Sequence, residues 1–138
     1  MTHRILFIAS LHHPQTLQRE RQHAQATQTT VPLFPSSTAL RFWEKIFRKR
    51  GHAVEVFWRN LPAYQKQDIH AIQDEKYTNR ITPRRIAQAV MHRLPYEMNL
   101  ELRSRNQALI EMARQFAPTH IWMVGDNREI HADTLATL

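Results

Sequence analysis

The stretch that decides the fold is Arg4-Ile-Leu-Phe-Ile-Ala-Ser10, near the beginning of the chain. It is a continuous apolar run, which is typical of a central strand of a parallel sheet that is covered on both faces. Two more apolar runs follow, at residues 53–59 and 120–124. Because helical segments separate the three runs, we predict three parallel strands joined by right-handed crossovers.

The crossovers also predict the order of the strands. We expect the first strand to be central and the other two to flank it, in the order 2-1-3, with helices on both faces. This is an α/β, Rossmann-like parallel sheet. We expect residues 1–138 to form a single domain of this kind. We also expect it to be the incomplete N-terminal part of a longer chain, because the last predicted helix starts at residue 132 and reaches the final residue without a cap.

One amphipathic helix is predicted in the first crossover, over residues 39–50. Candidate N-caps precede it, and a glycine follows it: Ser36, Ser37, Thr38 and Gly51. Its apolar residues lie at helical spacing, and we expect them to be buried: Leu40, Trp43, Ile46 and Phe47. Trp58 and Trp122 lie on predicted strands, so core packing is expected for all three tryptophans.

Two helices are predicted in the second crossover. Thr82-Pro83 starts the first, as an N-cap followed by proline at the first helical position, and this helix runs to about residue 93. The second covers residues 99–116 and has one apolar stripe: Leu102, Leu109, Ala113 and Phe116. Asn106 lies within that stripe, so we predict that it is buried and hydrogen-bonded to a neighbouring loop.

Residues 11–35 are unusual because they are polar and long. They are rich in glutamine, threonine and histidine, and Pro14, Pro32 and Pro35 interrupt them. We interpret this segment as a long polar loop with room for one helical piece, because the apolar face of residues 17–28 is thin. A loop of this length in a compact domain is usually functional or disordered.

Composition limits the classes of function. The chain is 42% hydrophobic and has no cysteine, which excludes disulfides, thiolate nucleophiles and cysteine-ligated metals. Its first apolar run is too short for a signal peptide, so we expect a cytoplasmic protein. The 19 Lys and Arg residues against 12 Asp and Glu give a net charge of +7. That charge suits an anionic substrate, a nucleic acid or an anionic membrane surface, and an ordinary solvated surface explains it equally well.

Several kinds of site are excluded by the absence of their motifs. Gly51 and Gly125 are the only glycines, so neither of the glycine-rich phosphate-binding loops is present. The sequence has no close spacing of histidines and acidic residues typical of a metal site, and no nucleophile elbow. We therefore expect no cofactor and no metal within this chain.

The predicted topology places a candidate site. In open parallel sheets, ligands bind outside the carboxyl ends of the strands where the strand order reverses, which here is between the first and third strands. The imidazoles there are candidates for catalysis or anion binding: His12 and His13. The candidates for substrate binding are Ser10, Gly125, Asp126 and Asn127, with Asn60 further out. Each of these segments is also ordinary loop or turn sequence.

Three stretches resemble the start of GT-B-type glycosyltransferases: Arg4-Ile-Leu-Phe-Ile-Ala-Ser10, Arg50-Gly51-His52 and Val54-Glu-Val-Phe57. The block from Asn106 to Gly125 is similar to an N-x-x-L-x8-P-D-x-I region of glycosyltransferases related to spore-coat maturation proteins. Asp133-Thr134-Leu135 fits the helix that follows in those proteins. Thr119 replaces their usual acidic residue, and the loop after the first strand is longer here and lacks their glycine.

The resemblance implies two Rossmann-like domains with a cleft between them. The N-terminal domain holds the acceptor, and the C-terminal domain holds the nucleotide-sugar. This chain resembles only the first part, so it would be the acceptor-side portion of the enzyme, inactive alone and dependent on a missing C-terminal domain for the nucleotide-sugar. One of His12 and His13, and one of Asp126 and Asn127, would face the cleft.

Two other classes of protein remain open. One is a stand-alone Rossmann-like module that binds a partner, although the end of the first strand lacks the acidic cluster of a receiver domain. The other is a basic RNA- or membrane-associated protein. Nucleic acid is the less favoured partner because the basic residues are spread along the whole chain, and salt-sensitive binding would distinguish this class.

Overall fold

The computed structural model describes residues 1–71, 83–125 and 128–138. Its centre is a parallel sheet of three strands: β1 (Arg4–Ala9), β2 (Ala53–Trp58) and β3 (His120–Met123). The strand order is β2-β1-β3, with Phe7 of β1 opposite Val56 on one side and Trp122 on the other. The predicted Rossmann-like α/β arrangement and its order 2-1-3 are therefore confirmed.

Helices fill both crossovers. The first contains α1 (Pro14–Ala26) and α2 (Ala39–Lys49), and the second contains α3 (Pro83–Met91) and α4 (Leu100–Phe116). Helix α5 (Ala132–Thr137) follows β3. The predicted N-cap Thr82 lies outside the described residues. No helix within the described ranges is long and apolar enough to cross a membrane.

Helix α1 occupies the first half of residues 11–35, which were predicted to be a long polar loop with room for one helical piece. It is 13 residues long, it starts at Pro14, and only Leu17 and Ala24 are buried on it. Hydrogen bonds to the loop that follows also hold the helix in place. The guanidinium of Arg21 donates to the carbonyl of Pro32 at 2.8 Å. The carboxylate of Glu20 also accepts hydrogen bonds from Ser36. These contacts join the helix to residues beyond it in the sequence, so the local spacing of apolar residues indicates less helix than the structure contains.

The core consists of two apolar clusters, one on each face of the sheet. One cluster joins alternate residues of β1 and β2 to α1, α2 and the loop between these helices: Ile5, Phe7, Ala9, Val56, Trp58, Leu17, Leu40, Phe47 and Phe34. The other joins the remaining strand residues to α4: Leu6, Ile8, Phe57, Leu109 and Ala113. The alternation explains why β1 is a continuous apolar run, because helices cover both of its faces.

Helix α2 is rotated relative to the prediction. Leu40 and Phe47 pack against the core as expected, but the most buried residue of the helix is Glu44, which is only 1% exposed. Its carboxylate accepts hydrogen bonds from the backbone N–H groups of Leu33 and Phe34 at 3.0 and 3.2 Å. A buried carboxylate needs such partners, so the loop fixes the rotation of the helix.

The tryptophans do not share one environment, and the prediction that all three lie in the core is wrong for two of them. Trp58 is 2% exposed, whereas Trp43 is 38% and Trp122 is 37% exposed. The rings of Trp43 and Trp122 pack on each other at a centroid distance of 5.4 Å. They stay exposed because β3 is an edge strand and α2 turns Glu44 toward the core.

The ends of the helices agree with the predicted caps in most respects. Helix α2 ends before Gly51, which has the positive φ of 79° that favours glycine. Thr38 is the N-cap residue of α2, although its hydroxyl donates to the carbonyl of Pro35 and not to the helix. Asn99 is the N-cap of α4, and its side chain accepts a hydrogen bond from the N–H of Leu102.

Candidate functional site

Arg59 connects the carboxyl ends of the strands. It follows β2 directly, and its N–H donates to the carbonyl of Ala9, the last residue of β1, at 2.9 Å. Its side chain is 8% exposed, and Nε donates to the hydroxyl of Ser10 at 2.9 Å. A buried guanidinium is therefore held against the end of the central strand, where the strand order reverses.

Gly125 approaches the same guanidinium from the end of β3. A Cβ atom at this position would lie 2.9 Å from Nη2 of Arg59, closer than real Cβ contacts occur. Gly125 also has φ +87°, where other residues are strained. Two of the predicted site residues, Ser10 and Gly125, thus lie together around Arg59. We call these three residues and Glu129, which lies in the segment after β3, the Ser10–Arg59 site.

Acidic and basic side chains from two other segments lie next to the side chain and the backbone of Arg59. Oε2 of Glu129, in the segment after β3, lies 3.9 Å from Nε of Arg59. From α4, Arg105 donates to the carbonyl of Arg59 at 2.8 Å. Glu101 pairs with Arg105 at 3.1 Å. Three segments therefore position Arg59. Ser10 and the Glu129 segment hold its side chain, and α4 holds its backbone.

Asn106 fixes the segment that carries Glu129, and the predicted burial and loop contact of Asn106 are confirmed. It is 1% exposed, and its amide nitrogen donates to the carbonyls of Leu102 and Glu129, both at 2.8 Å. Its amide oxygen accepts the N–H of His131 at 2.8 Å. A single buried amide therefore sets the backbone on both sides of Ile130.

Asn60 has a positioning role in the structure. Its amide oxygen accepts the N–H of Leu11 at 2.8 Å, and its amide nitrogen donates to the carbonyl of Leu11 at 2.9 Å. These two hydrogen bonds extend the pairing of β1 and β2 beyond the ends of the strands and hold the loop that follows Ser10. Direct contact of Asn60 with a substrate stays a prediction.

The two predicted imidazoles lie at the start of α1. His12 and His13 are both exposed, and His13 is the N-cap residue of the helix without a side-chain cap bond. They follow Ser10 by two and three residues, on the loop that Asn60 holds. Asp126 and Asn127 lie outside the described residues, so their place in the site stays a prediction.

Sequence reasoning missed Arg59 and Glu129. A charged residue directly after the apolar run of residues 53–58 was the available signal, because that position opens onto the carboxyl edge of the sheet. Guanidinium and hydroxyl groups together bind carboxylates, phosphates and sugar hydroxyls. Within the described ranges, no group of three or more histidine or acidic side chains is arranged to hold a metal ion.

A groove of about 680 Å³ lies between α4 and α5. Asn106 lines it together with Tyr96 and Arg103. The ring of Tyr96 stacks on His131 at a centroid distance of 4.0 Å. The groove thus offers aromatic and cationic side chains, and it shares Asn106 with the contacts that hold the Glu129 segment.

Comparisons of the chain with protein-family models, curated proteins and solved structures found no match. The function is therefore inferred from the residues of the site and from the resemblance in sequence.

Proposed function

We propose that this chain is the acceptor-binding part of a glycosyltransferase and that it binds a hydroxyl-rich, anionic acceptor at the Ser10–Arg59 site. The observation that carries the proposal is the buried guanidinium of Arg59, held by Ser10 at the point where the strand order reverses. The resemblance in sequence to glycosyltransferases supports the reaction class.

The chemistry of the site suits such an acceptor. The Ser10 hydroxyl accepts a hydrogen bond from Arg59, which leaves its own proton to donate to a ligand. The arginine supplies a fixed positive charge, and charge-assisted hydrogen bonds to an anion are about twice as strong as neutral ones. His12 or His13 is the candidate base that would deprotonate an acceptor hydroxyl, because the unprotonated ring nitrogen of a neutral imidazole accepts a proton.

In this proposal the chain alone does not catalyse sugar transfer. No glycine-rich phosphate loop is present in the sequence, and a nucleotide-sugar would be bound by a second domain. In this arrangement the acceptor contributes hydroxyl and anionic groups to the Ser10–Arg59 site, and the leaving-group charge is stabilised from the donor side.

Titration of the ¹⁵N-labelled chain with glucose 6-phosphate tests the proposal. We expect amide shifts confined to residues 10–13 and 125–131, with weaker binding of glucose and of inorganic phosphate. Ser10→Ala should weaken binding about fivefold, the equivalent of one ordinary hydrogen bond. Ser37→Ala, which removes an exposed hydroxyl elsewhere, is the matched control.

Three results would overturn the proposal. Equal binding of phosphate and glucose 6-phosphate would mean that the site recognises only an anion. Shifts confined to other residues, or none at millimolar ligand, would remove the site. Binding of a nucleotide-sugar to this chain alone, at the same amides, would contradict the acceptor-side assignment.

A further inference from the structure

Glu129 places a carboxylate beside the guanidinium of Arg59 without a hydrogen bond between them. Oε2 of Glu129 lies 3.9 Å from Nε of Arg59, whereas N–H···O hydrogen bonds span about 2.7–3.2 Å. Nε of Arg59 donates to the hydroxyl of Ser10 instead. In the part of the chain that the structure describes, no N–H or O–H group donates to this carboxylate. Its oxygens are therefore able to accept hydrogen bonds from a ligand.

The fold holds both charges in place. The side chain of Glu129 is 31% exposed, whereas that of Arg59 is 8% exposed. Asn106 donates to the carbonyl of Glu129 and accepts the N–H of His131, both at 2.8 Å, so the backbone that carries the carboxylate is fixed. The carboxylate is thus the more accessible of two charges of opposite sign.

The opposite charges affect which ligands the site favours. A ligand that carries only an anionic group is attracted by Arg59 and repelled by Glu129, because the two charges lie a few ångströms apart. A ligand that also carries an ammonium group is attracted by both. A hydroxyl group also donates to a carboxylate, but a hydrogen bond between two ions is stronger than one with a neutral donor.

We propose that the acceptor bound at the Ser10–Arg59 site carries an ammonium group as well as an anionic group, and that Glu129 selects for the ammonium group. The inference rests on the proposed function, because it takes this site to bind the acceptor. The anionic group would bind to Arg59 and Ser10, and the ammonium group would donate to Glu129. Amino sugar phosphates belong to this class, since their rings also supply the hydroxyl groups.

Glucosamine 6-phosphate and glucose 6-phosphate test the proposal, because the first carries an ammonium group where the second has a hydroxyl group. We expect glucosamine 6-phosphate to bind about fivefold more tightly at pH 7, since a charge-assisted hydrogen bond replaces one with a neutral donor. Amide shifts of the ¹⁵N-labelled chain measure both dissociation constants. This comparison uses the unmodified chain and needs no variant.

Glu129→Gln removes the negative charge and keeps a side chain of similar shape. It should abolish the preference for glucosamine 6-phosphate and should not weaken the binding of glucose 6-phosphate, because an amide oxygen still accepts a hydrogen bond from a hydroxyl group. Glu111→Gln, which removes an exposed carboxylate from α4, is the matched control and should keep the preference.

The results separate this inference from the proposed function. Equal binding of the two sugar phosphates, with shifts at residues 10–13 and 125–131, would overturn the inference and leave the proposed function standing. A preference that persists in Glu129→Gln, or that is lost in Glu111→Gln, would show that Glu129 does not select for the ammonium group. Binding of neither sugar phosphate, or shifts confined to other residues, would overturn both.

Discussion

The carboxylate of Glu44 lies 3.0 Å from the backbone nitrogen of Leu33, so a charged side chain on α2 holds the loop between the first two helices. Arg41 and Arg48 pair with the same carboxylate at 3.0 and 3.1 Å. The loop delivers Phe34 into the core, where it packs on Phe7 at a centroid distance of 5.1 Å. Glu44 therefore links an electrostatic cluster to the packing of the sheet.

Glu44→Ala should lower the free energy of unfolding by about 3 kcal/mol, because it leaves two buried N–H groups and two partly buried guanidinium groups without their acceptor. Urea denaturation measures this loss. Glu111→Ala, which removes an exposed carboxylate from α4, should change stability by less than about 0.5 kcal/mol. Similar losses in the two variants would contradict the role of Glu44.

Gly125→Ala should destabilise the protein by about 2 kcal/mol and displace the Arg59 side chain, because its Cβ would meet the guanidinium at a strained backbone position. Gly51→Ala separates the two effects. Gly51 also has a positive φ, but nothing lies within 4 Å of its Cβ position. It should cost about 1 kcal/mol and leave the NMR signal of the Arg59 guanidinium unmoved. An unmoved Arg59 signal in Gly125→Ala would count against the close approach.

Asn106→Ala should reduce stability by about 3 kcal/mol, because it removes three buried hydrogen bonds and leaves the backbone groups of Glu129 and His131 unsatisfied. Hydrogen exchange should become faster at the amide of His131. Gln107→Ala changes the exposed neighbour on α4 and should affect neither quantity. If His131 exchanges at the same rate in Asn106→Ala, another contact positions the segment.

Stability should fall as the pH decreases below about 6.5, in part because of His52. Its pKa is lowered from 6.5 in the folded protein, first by burial and then by neighbouring basic groups. The unfolded chain therefore binds a proton more readily than the folded one, so this contribution is complete above 6.5 and is lost as the pH falls through the folded pKa. Unfolding between pH 5 and 8 measures the effect.

His52→Gln should make the pH dependence of stability shallower, since it removes the group whose pKa is lowered. His23→Gln, at an exposed position of α1, should leave the dependence as it is. An NMR titration that gives His52 a pKa at or above 6.5 would contradict this prediction.

The sheet was predictable because its signals are local. Residues 5–9 are apolar throughout and end at a loop, and the positions of α2 and α4 between the strands follow from spacing and caps. The same holds for Asn106, whose place on an apolar stripe already indicates a buried amide that needs partners.

Contacts distant in sequence account for what was not predictable. Glu44 looks like a solvated residue until Leu33 and Phe34 are known to present their N–H groups to it. Arg59 looks like the polar end of a strand until Ser10, 49 residues away, is seen to accept its hydrogen bond. In both cases a charged side chain is buried because another segment satisfies it, and single-sequence patterns do not contain that information.

The two ladders of the sheet close chain loops of very different length, which affects the sequence of folding events. Contacts between the ends of β1 and β2 span 49 residues, whereas those between Arg4 and Thr119 span 115. Loop-closure entropy grows only with the logarithm of length, so the equilibrium penalty differs by less than about 1 kcal/mol. The two strand pairings differ more in their rates of formation, because contacts between residues far apart in the sequence form more slowly. During synthesis, β1 and β2 are thus able to associate while β3 is still unmade, and the Ser10–Arg59 site is completed only when Gly125 and Glu129 have emerged.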